Sequence, residues 1–460
     1  MGGMSQQNRI FLILTIILGC FFVFWRIDSE PIFEWDEARH GQNALEMMIN
    51  HDYINYTYAQ KPDTWNNKPP LLIWAIVASY NLFGFNTFAL RFPSAVMAIV
   101  ILITCFLISR KFFSPKESFF ISLIMMTSKG ILGYHVGRTG DMDSMLLGFF
   151  LLSVLFWIKF FDSQKVIYAI LTAVFWGLSF YTKGTASIFI VPGLGLYALD
   201  QLSRNRGFPL KKILVTVSIA LLFPLSWFLL IQKWGYRSTL DDGTLVHAWD
   251  LMFSYDTWSR FTTNLEGHGK VFDPLYILRK VDVAFMPWIY ALYVMIFIFL
   301  IRTLFLKIPF PKKENSALKF ACLFAVPIML ILSVSRSKLP WYIAPILPFL
   351  AIALCDLYQR LKIPSKSKVL TLVSIIAVIH QIQSQWKIHP DPVFDVIQTH
   401  AQEIKNASQV CYKEPLHQHY RLLLSWYSQN LKSIGSRERI DKPQNGVFVK
   451  REDCFDFKYD

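Results

Sequence analysis

Long apolar runs constrain this chain more than any other feature of its sequence. A membrane-spanning helix needs about 20 predominantly apolar residues, and somewhat shorter runs lie near the lower limit. Hydrophobic residues make up 53% of the 460 residues, which is more than a soluble domain needs. The pattern predicts an all-α polytopic membrane bundle with about eleven spans. The predicted spans are residues 10–25, 91–109, 118–134, 144–161, 166–181, 186–199, 213–231, 284–305, 317–334, 339–358 and 369–382.

Basic residues fall in short clusters between these runs, which is typical of cytoplasmic loops. The net charge of +14 therefore indicates membrane topology and not nucleic-acid binding. All the clusters lie on one side if the N-terminus is cytoplasmic and the run 71–83 does not span. We therefore expect 71–83 to be a helix lying in the outer membrane interface. The clusters are Arg110, Lys111 and Lys116; Lys159 and Lys165; Arg204, Arg206, Lys211 and Lys212; Lys307, Lys312 and Lys313; and Arg360, Lys362, Lys366 and Lys368.

This topology divides the chain into two predicted domains. Residues 1–385 form the transmembrane domain, with two long outer loops at 26–90 and 232–283. No small-residue cleavage site follows the first apolar run, so we expect that run to stay as an uncleaved span. Residues 386–460 form a tail outside the membrane.

The tail reads as a small α/β domain. Residues 409–412, 431–434 and 446–449 have the composition of strands, and 420–427 fits either a strand or a helix. Cys411 and Cys454 are the only cysteines in the tail. An oxidising compartment permits a disulfide between them, and two unrelated free thiols are the alternative.

Charged residues gather on the predicted outer loops, close to the bilayer surface. Carboxylates on two separate loops can act as a base and as ligands for a metal ion or a hydroxyl group. Lysines and arginines at the lipid–water boundary suit a phosphate carried on a lipid. Each feature alone has an ordinary explanation, since a lone Lys near a helix end usually snorkels to the surface. Their occurrence together on one face favours a binding or catalytic site.

A set of motifs occurs in order along residues 10–358. They are Asp36-Glu37-Ala38-Arg39, Asn67-Lys68-Pro69-Pro70-Leu71-Leu72-Ile73-Trp74, Leu90-Arg91-Phe92-Pro93-Ser94-Ala95, Arg138-Thr139-Gly140-Asp141-Met142-Asp143, Thr182-Lys183-Gly184 and Lys338-Leu339-Pro340-Trp341-Tyr342. The set resembles the GT-C-fold glycosyltransferases of the protein O-mannosyltransferase and lipid A aminoarabinose transferase group.

The resemblance implies sugar transfer, with inversion, from a polyprenyl-phosphate-linked donor on the outer side of a bacterial inner membrane. By motif, Asp36 is the expected catalytic carboxylate, Asp141 the second acidic ligand and Lys68 the donor-phosphate residue. Glu37 is a further catalytic candidate. The other expected phosphate-binding residues are Arg138, Lys183, Arg336 and Lys338. The expected substrate-binding residues are Arg39, His40, Asp143, His268, Tyr276 and Tyr342.

The sequence leaves several points of function open. No cofactor is certain, and Asp36 and Asp141 are the candidate ligands of a divalent metal ion. The acceptor is a protein, lipid A or another surface glycan, and we expect a monomer. The competing function is a transporter or flippase for a lipid-linked sugar, which would place charged residues near the membrane midplane and show repeated halves. A non-catalytic scaffold would leave the loop carboxylates unexplained.

Overall fold

The computed structural model describes residues 5–459 with gaps. The residues outside the description are 1–4, 64, 134, 205–208, 240–244, 260–261, 263–274, 306, 308–315, 337–338, 361–365, 388, 437–444, 451–453 and 460.

Among the described residues, sixteen α-helices precede the tail. They are α1 (Gln6–Phe24), α2 (Asp36–Asn50), α3 (Leu71–Phe83), α4 (Thr87–Ser109), α5 (Pro115–Thr127), α6 (Lys129–Leu132), α7 (Met142–Ser163), α8 (Val166–Lys183), α9 (Val191–Leu202), α10 (Leu210–Trp234), α11 (Ala248–Phe253), α12 (Tyr276–Ala284), α13 (Trp288–Leu300), α14 (Ala317–Val334), α15 (Leu347–Arg360) and α16 (Lys366–Trp386). The 3₁₀ segments Gly184–Ile190 and Pro340–Ile346 lead into α9 and α15. The π-helical segments Ser254–Ser259 and Ile301–Phe305 follow α11 and α13. Two small hairpins pair β1 (Thr57–Tyr58) with β2 (Lys61–Pro62) and β3 (Arg237–Thr239) with β4 (Leu245–His247).

Eight helical segments among the described residues are long and apolar enough to cross a membrane. One of them, Val166–Leu202, contains two predicted spans joined by the first 3₁₀ segment. The other two predicted spans, 118–134 and 369–382, coincide with α5–α6 and with α16. The predicted polytopic helical bundle is confirmed.

Local sequence signals explain where several helices begin. Ser114 caps α5 in a capping box with Glu117, and Pro115 occupies the first turn. Asn86 caps α4 by accepting a hydrogen bond from the Ala89 N–H at 2.8 Å. Pro93 lies inside α4, which packed membrane bundles tolerate.

Polar contacts bring basic segments to one end of the bundle. Lys111, just after α4, pairs with Asp162 at the end of α7 at 2.6 Å. Gln359, near the end of α15, donates to Glu117 at the start of α5 at 2.6 Å. Because α4 and α5 are consecutive, the first and last basic clusters lie at the same end. The loops after α1, α6 and α8 lie at the opposite end.

Helices α2 and α3 belong to the first long loop. At 13 residues, α3 is about 20 Å long, too short for a bilayer core of about 30 Å. Its buried residues Leu72, Ile73 and Ile76 pack with Leu45 of α2 in one hydrophobic core. It is therefore a packed, non-spanning helix, as an interfacial helix should be.

The tail contains three helices and a four-stranded sheet. They are α17 (Pro392–Thr399), α18 (Ala401–Asn406), β5 (Val410–Glu414), α19 (Gln418–Tyr427), β6 (Leu431–Ser436), β7 (Gly446–Lys450) and β8 (Phe455–Tyr459). The strand order is β6-β5-β8-β7, with β5 parallel to both neighbours and β7 antiparallel to β8. The ambiguous segment 420–427 is a helix, and β8 was missed in the sequence. The structure joins Cys411 and Cys454 in a disulfide with Cα atoms 5.9 Å apart.

The tail packs tightly on the first long loop, residues 26–90. Leu422 and Leu423 of α19 share a core with residues of α2, α3 and α4. At Gly41 of α2, an added Cβ would lie 2.5 Å from Leu422 Cδ2, so α2 and α19 approach closely only because this residue is glycine.

Candidate active site

The site begins at the first turn of α2. Asp36 and Glu37 both lie there, where the positive end of the helix dipole stabilises negative charge. Trp35 precedes them with φ = +73°, which is uncommon for a residue other than glycine. This sharp turn brings the chain from the end of α1 into α2.

Glu37 is buried and fully engaged in hydrogen bonds. Its Oε1 accepts from Arg91 Nε at 2.7 Å and from the Gly140 N–H at 2.8 Å. Its Oε2 accepts from Arg91 Nη2 and from the Phe33 N–H, both at 2.9 Å. Arg91 also donates to the carbonyls of Ile27, Glu30 and Pro31. These contacts favour a positioning role for Glu37 over the catalytic role considered from the sequence.

Asp36 lies in a cluster with His135, Asp141 and His40. His135 Nδ1 is 3.6 Å from Asp36 Oδ2 and 3.3 Å from Asp141 Oδ1. His40 Nδ1 is 3.8 Å from Asp141 Oδ1 and 3.0 Å from the Gly140 carbonyl oxygen. The two loop carboxylates predicted to meet do lie close together, bridged by His135.

Charge within the cluster determines its protonation. Burial lowers the pKa of His135, but the charges of Asp141 and Asp36 outweigh burial and raise it overall. Burial favours neutral Asp141, yet His135 reverses this and lowers the pKa of the carboxyl group. Burial dominates at His40, whose pKa is lowered despite Asp141. The arrangement favours an imidazolium at His135, a carboxylate at Asp141 and a neutral His40.

The cluster also has the donor types of a metal site. Asp36, His135 and Asp141 each offer one ligand atom, and these atoms lie within 4.8 Å of one another. Neither Asp141 carboxylate oxygen accepts a hydrogen bond of normal geometry from a described residue. Two carboxylates and an imidazole therefore fit a divalent cation as well as they fit a catalytic acid–base group.

A cavity of about 220 Å³ contains the cationic side of the site. Lys68, Lys183, Asp143 and Tyr342 are among its lining residues. Lys183 Nζ donates to both carboxylate oxygens of Asp143, at 2.7 and 2.8 Å, and lies 5.2 Å from the Tyr342 ring centroid. Two lysines thus face a largely apolar cavity next to the acidic cluster.

Arg39 is held away from this cavity by Asp63. Its guanidinium makes two hydrogen bonds to the Asp63 carboxylate, at 2.8 and 2.7 Å, and lies over the rings of Tyr58 and Trp65. Burial would raise the pKa of Asp63, but Arg39 reverses that effect and lowers it. This geometry favours a structural role for Arg39 over the predicted substrate contact.

Arg138 lies in a second cavity, of about 500 Å³. Its guanidinium donates to the carbonyls of Phe22, Val23 and Arg26 at the end of α1. Burial first, then the nearby Arg91 charge, lowers its pKa to about 10. Arg138 is therefore separate from the Lys68 cavity, contrary to the single phosphate-binding group expected from the sequence.

The remaining predicted residues divide into three groups. Arg336 is exposed and is not among the residues lining the Lys68 cavity. Tyr276 begins α12, where Lys280 Nζ lies 5.3 Å from its ring centroid. Lys338 and His268 lie outside the described residues.

His135 is a site residue that the sequence analysis did not single out. It has φ = +67°, and its ring stacks on Trp341 with centroids 3.5 Å apart. Trp341 belongs to the Lys338–Tyr342 motif, so the stacking joins two motifs that are distant in sequence. The sequence signal that could have identified His135 is its position three residues before the motif that begins at Arg138.

The chain is similar in sequence to known proteins. The family model described as dolichyl-phosphate-mannose-protein mannosyltransferase matches residues 67–229, a range that excludes Asp36. An undecaprenyl phosphate-alpha-4-amino-4-deoxy-L-arabinose arabinosyl transferase of Pseudomonas fluorescens is 25% identical over 353 residues. The match covers 74% of this chain but only 58% of that protein. An uncharacterised Aquifex aeolicus protein is 23% identical and is matched over 82% of this chain and 68% of its own length.

A solved structure shares the architecture. The crystal structure of ArnT from Cupriavidus metallidurans bound to undecaprenyl phosphate matches with a TM-score of 0.70 at 18% identity. The match covers 93% of this chain and 86% of that one. The chain therefore has the GT-C fold of that protein, as the motifs led us to expect. The acidic cluster and the lysine-lined cavity lie at the same end of its helical bundle.

Proposed function

We propose that this chain transfers a sugar from a polyprenyl-phosphate donor to an acceptor hydroxyl or phosphate, with inversion at the anomeric carbon. The observation that carries the proposal is the lysine-lined, largely apolar cavity beside the acidic cluster. Such a cavity suits a lipid phosphate, because the apolar wall receives the chain and the lysines receive the charge. The named activity of the arabinosyl transferases and the undecaprenyl phosphate bound to ArnT support this assignment.

The donor phosphate would bind between Lys68 and Lys183. The ion pair with the buried carboxylate of Asp143 holds the Lys183 ammonium group at the cavity wall, and the N–H groups of Lys183 that Asp143 does not use can donate to the phosphate. As the glycosidic bond breaks, negative charge grows on the departing phosphate. Fixed positive charge next to that phosphate stabilises the transition state, usually a large contribution to catalysis.

Asp36 is the proposed general base. Its side chain is 26% exposed, whereas those of Asp141 and Glu37 are almost fully buried. An incoming hydroxyl can therefore reach Asp36 more readily than either neighbour. His135, held as an imidazolium between Asp36 and Asp141, would orient the Asp36 carboxylate. A divalent ion at the same three residues would instead bind the acceptor oxygen and lower its pKa.

The second cavity is the proposed entry for the acceptor. Arg138 and Thr139 line it, whereas Asp143, four residues further on, lines the donor cavity. The segment 138–143 thus borders both spaces, and a hydroxyl carried in the second cavity could approach the acidic cluster. The acceptor belongs to the class of lipids, glycans or proteins that present a hydroxyl or phosphate outside the membrane.

We further propose that the site faces the extracytoplasmic side of the inner membrane. The basic end of the bundle would face the cytoplasm, in accordance with the charge bias of membrane loops. Single cysteines replacing Gln60 and Asn430 should then react with an impermeant thiol reagent from outside, and one replacing Ser163 only after permeabilisation. Labelling of Gln60 and Asn430 from opposite sides would contradict this topology.

A flippase for a lipid-linked sugar is the alternative, and the position of the charges argues against it. Among the described residues, Asp36, Lys68, His135 and Asp141 gather at one end of the bundle, not at its middle. The test is to incubate the purified chain in proteoliposomes with a panel of polyprenyl-phosphate sugars and a panel of acceptors that present a hydroxyl or phosphate, and to measure free polyprenyl phosphate. Wild type should release it, and Asp36→Asn should release it about a hundred- to ten-thousand-fold more slowly, since that is the usual value of a general base.

The affinity of Asp36→Asn for the donor should be measured together with its rate of transfer. We expect the variant to bind the donor as wild type does, because the substitution removes proton acceptance and leaves the lysines in place. The flippase would be favoured if wild type released no polyprenyl phosphate from any donor but moved the lipid across the bilayer. Normal turnover of a folded Asp36→Asn enzyme would exclude Asp36 as the base.

A further inference from the structure

A second cluster of metal-ligating side chains lies between the tail and the first outer loop. Glu34 precedes the catalytic candidate Asp36 by two residues, while His417 and His419 lie at the start of α19. Glu34 Oε1 is 2.9 Å from His417 Nδ1. One ligand atom from each of the three residues lies within 4.8 Å of the others.

The carboxylate of Asp391 lies beside the cluster, at the other nitrogen of the His419 ring. Asp391 Oδ2 lies 3.3 Å from His419 Nε2. The same carboxylate is fixed by the Tyr420 hydroxyl and by the N–H groups of Val393 and Phe394, which it caps. Its position is therefore set by the tail itself, independently of any ion.

His419 gives a separate indication that the cluster binds an ion. The residue is 8% exposed, and its Nδ1 has no hydrogen-bond partner among the described residues. Buried polar atoms are nearly always satisfied, because leaving one unpaired costs free energy. An ion pair between Glu34 and His417 alone would leave this nitrogen unexplained, whereas a metal ion shared by the cluster gives the second histidine a partner.

We propose that Glu34, His417 and His419 bind a structural divalent transition-metal ion, with His419 binding through Nδ1 while Asp391 orients its ring at Nε2. Two imidazoles and a carboxylate form a nitrogen and oxygen set that Zn²⁺ accepts, with a fourth position left for water. The ion would connect α19 to the segment leading into Asp36. It would fix the tail on the outer loop at a point separate from the hydrophobic contact at Gly41.

The site differs from the Asp36–His135–Asp141 cluster, and metal analysis can distinguish the two. Full-length protein without a histidine tag would be purified, stripped with chelator, reloaded with Zn²⁺ and analysed by mass spectrometry for metal content. We expect one Zn²⁺ per chain to be lost in Glu34→Gln and in His419→Gln. It should be retained in His135→Gln, which alters the other cluster, and in His380→Gln, a control histidine exposed on α16.

Spectroscopy and stability measurements distinguish the loss of a metal ligand from misfolding of the variant. Co²⁺-loaded wild type should show the visible absorption of a low-coordinate nitrogen and oxygen site, and His419→Asp, which keeps a ligand, should retain an altered spectrum. Chelation should lower the melting temperature of wild type but not that of His419→Gln. No stoichiometric metal in the reloaded wild type, or metal lost only in His135→Gln, would overturn the proposal.

Discussion

Replacing Glu37 by Gln tests whether this residue positions the site or takes part in chemistry. Each Glu37 carboxylate oxygen accepts two N–H donors: Oε1 from Arg91 and Gly140, Oε2 from Arg91 and Phe33. Whichever oxygen becomes the amide –NH₂ group, that group faces two donors. The substitution also leaves the Arg91 guanidinium buried without its counter-charge.

The cost of this change follows from burial. The side chains of Arg91 and Glu37 are 1% and 0% exposed, so water cannot screen the lost charge. Breaking a buried ion pair by removing one partner costs about 3–5 kcal/mol. A loss of that size changes an unfolding equilibrium by about a hundred- to several-thousand-fold. The effect should appear as lower thermal stability and poorer yield of folded protein.

Glu46→Gln provides a matched control on the same helix. Glu46 is also buried, but its described partners are the Gln42 amide and the Gln60 N–H rather than an arginine. We expect its loss of stability to be clearly smaller. Both variants would be compared in detergent by thermal unfolding and by sugar transfer per folded molecule.

The two measurements separate the possible roles of Glu37. A positioning role predicts reduced stability with transfer per folded molecule lowered far less than in Asp36→Asn. Addition of Arg91→Gln to Glu37→Gln should cost less than the sum of the single changes, since the unpaired charge is then removed. A stable Glu37→Gln protein that binds donor yet transfers no sugar would refute this reasoning and give Glu37 the catalytic role.

Three further predictions follow from the site and the tail. Lys68→Ala should raise the KM for the donor at least tenfold. The control is Lys61→Ala, at an exposed lysine of the same loop, which should leave the KM unchanged. Equal effects of the two substitutions in a donor titration would contradict a phosphate-binding role for Lys68. His135 has a raised pKa in the folded chain, so its contribution to stability is complete below its ordinary pKa of about 6.5 and is lost as pH rises through the folded value. The melting temperature of wild type should therefore fall relative to that of His135→Gln as pH rises above about 6.5, and parallel pH profiles would count against this. Mass spectrometry of unreduced peptides should find Cys411 linked to Cys454 in protein from an oxidising compartment, and two free thiols would exclude the disulfide.

Spacing and hydropathy predicted the bundle because membrane spans are governed by length and apolar content. The non-spanning helix α3 was predicted from loop charges, and its 13-residue length agrees. The strand β8 was missed although Phe455–Tyr459 alternates aromatic and charged residues, because no glycine or proline turn signal comes directly before it. Its antiparallel partner β7 is the preceding strand, but its parallel pairing with β5 depends on contacts distant in sequence.

The site was harder to predict than the fold because charge partners come from different segments. Arg39 and Arg138 were both expected near substrate, yet Asp63 holds one and backbone carbonyls hold the other. Neither partner is recognisable from spacing. His135 became visible only when the fold placed it between Asp36 and Asp141. The sequence identifies which residue types gather at one end of the bundle, and tertiary structure decides which of them remain available.

The close approach at Gly41 has a consequence for building hybrids with the longer relatives. Because α2 accepts Leu422 only where it lacks a side chain, the outer loop and the tail have matched surfaces. Exchanging the tail alone would set a foreign α19 against this groove and expose apolar residues of α3. A functional hybrid should therefore require residues 26–90 and the tail to be transplanted together.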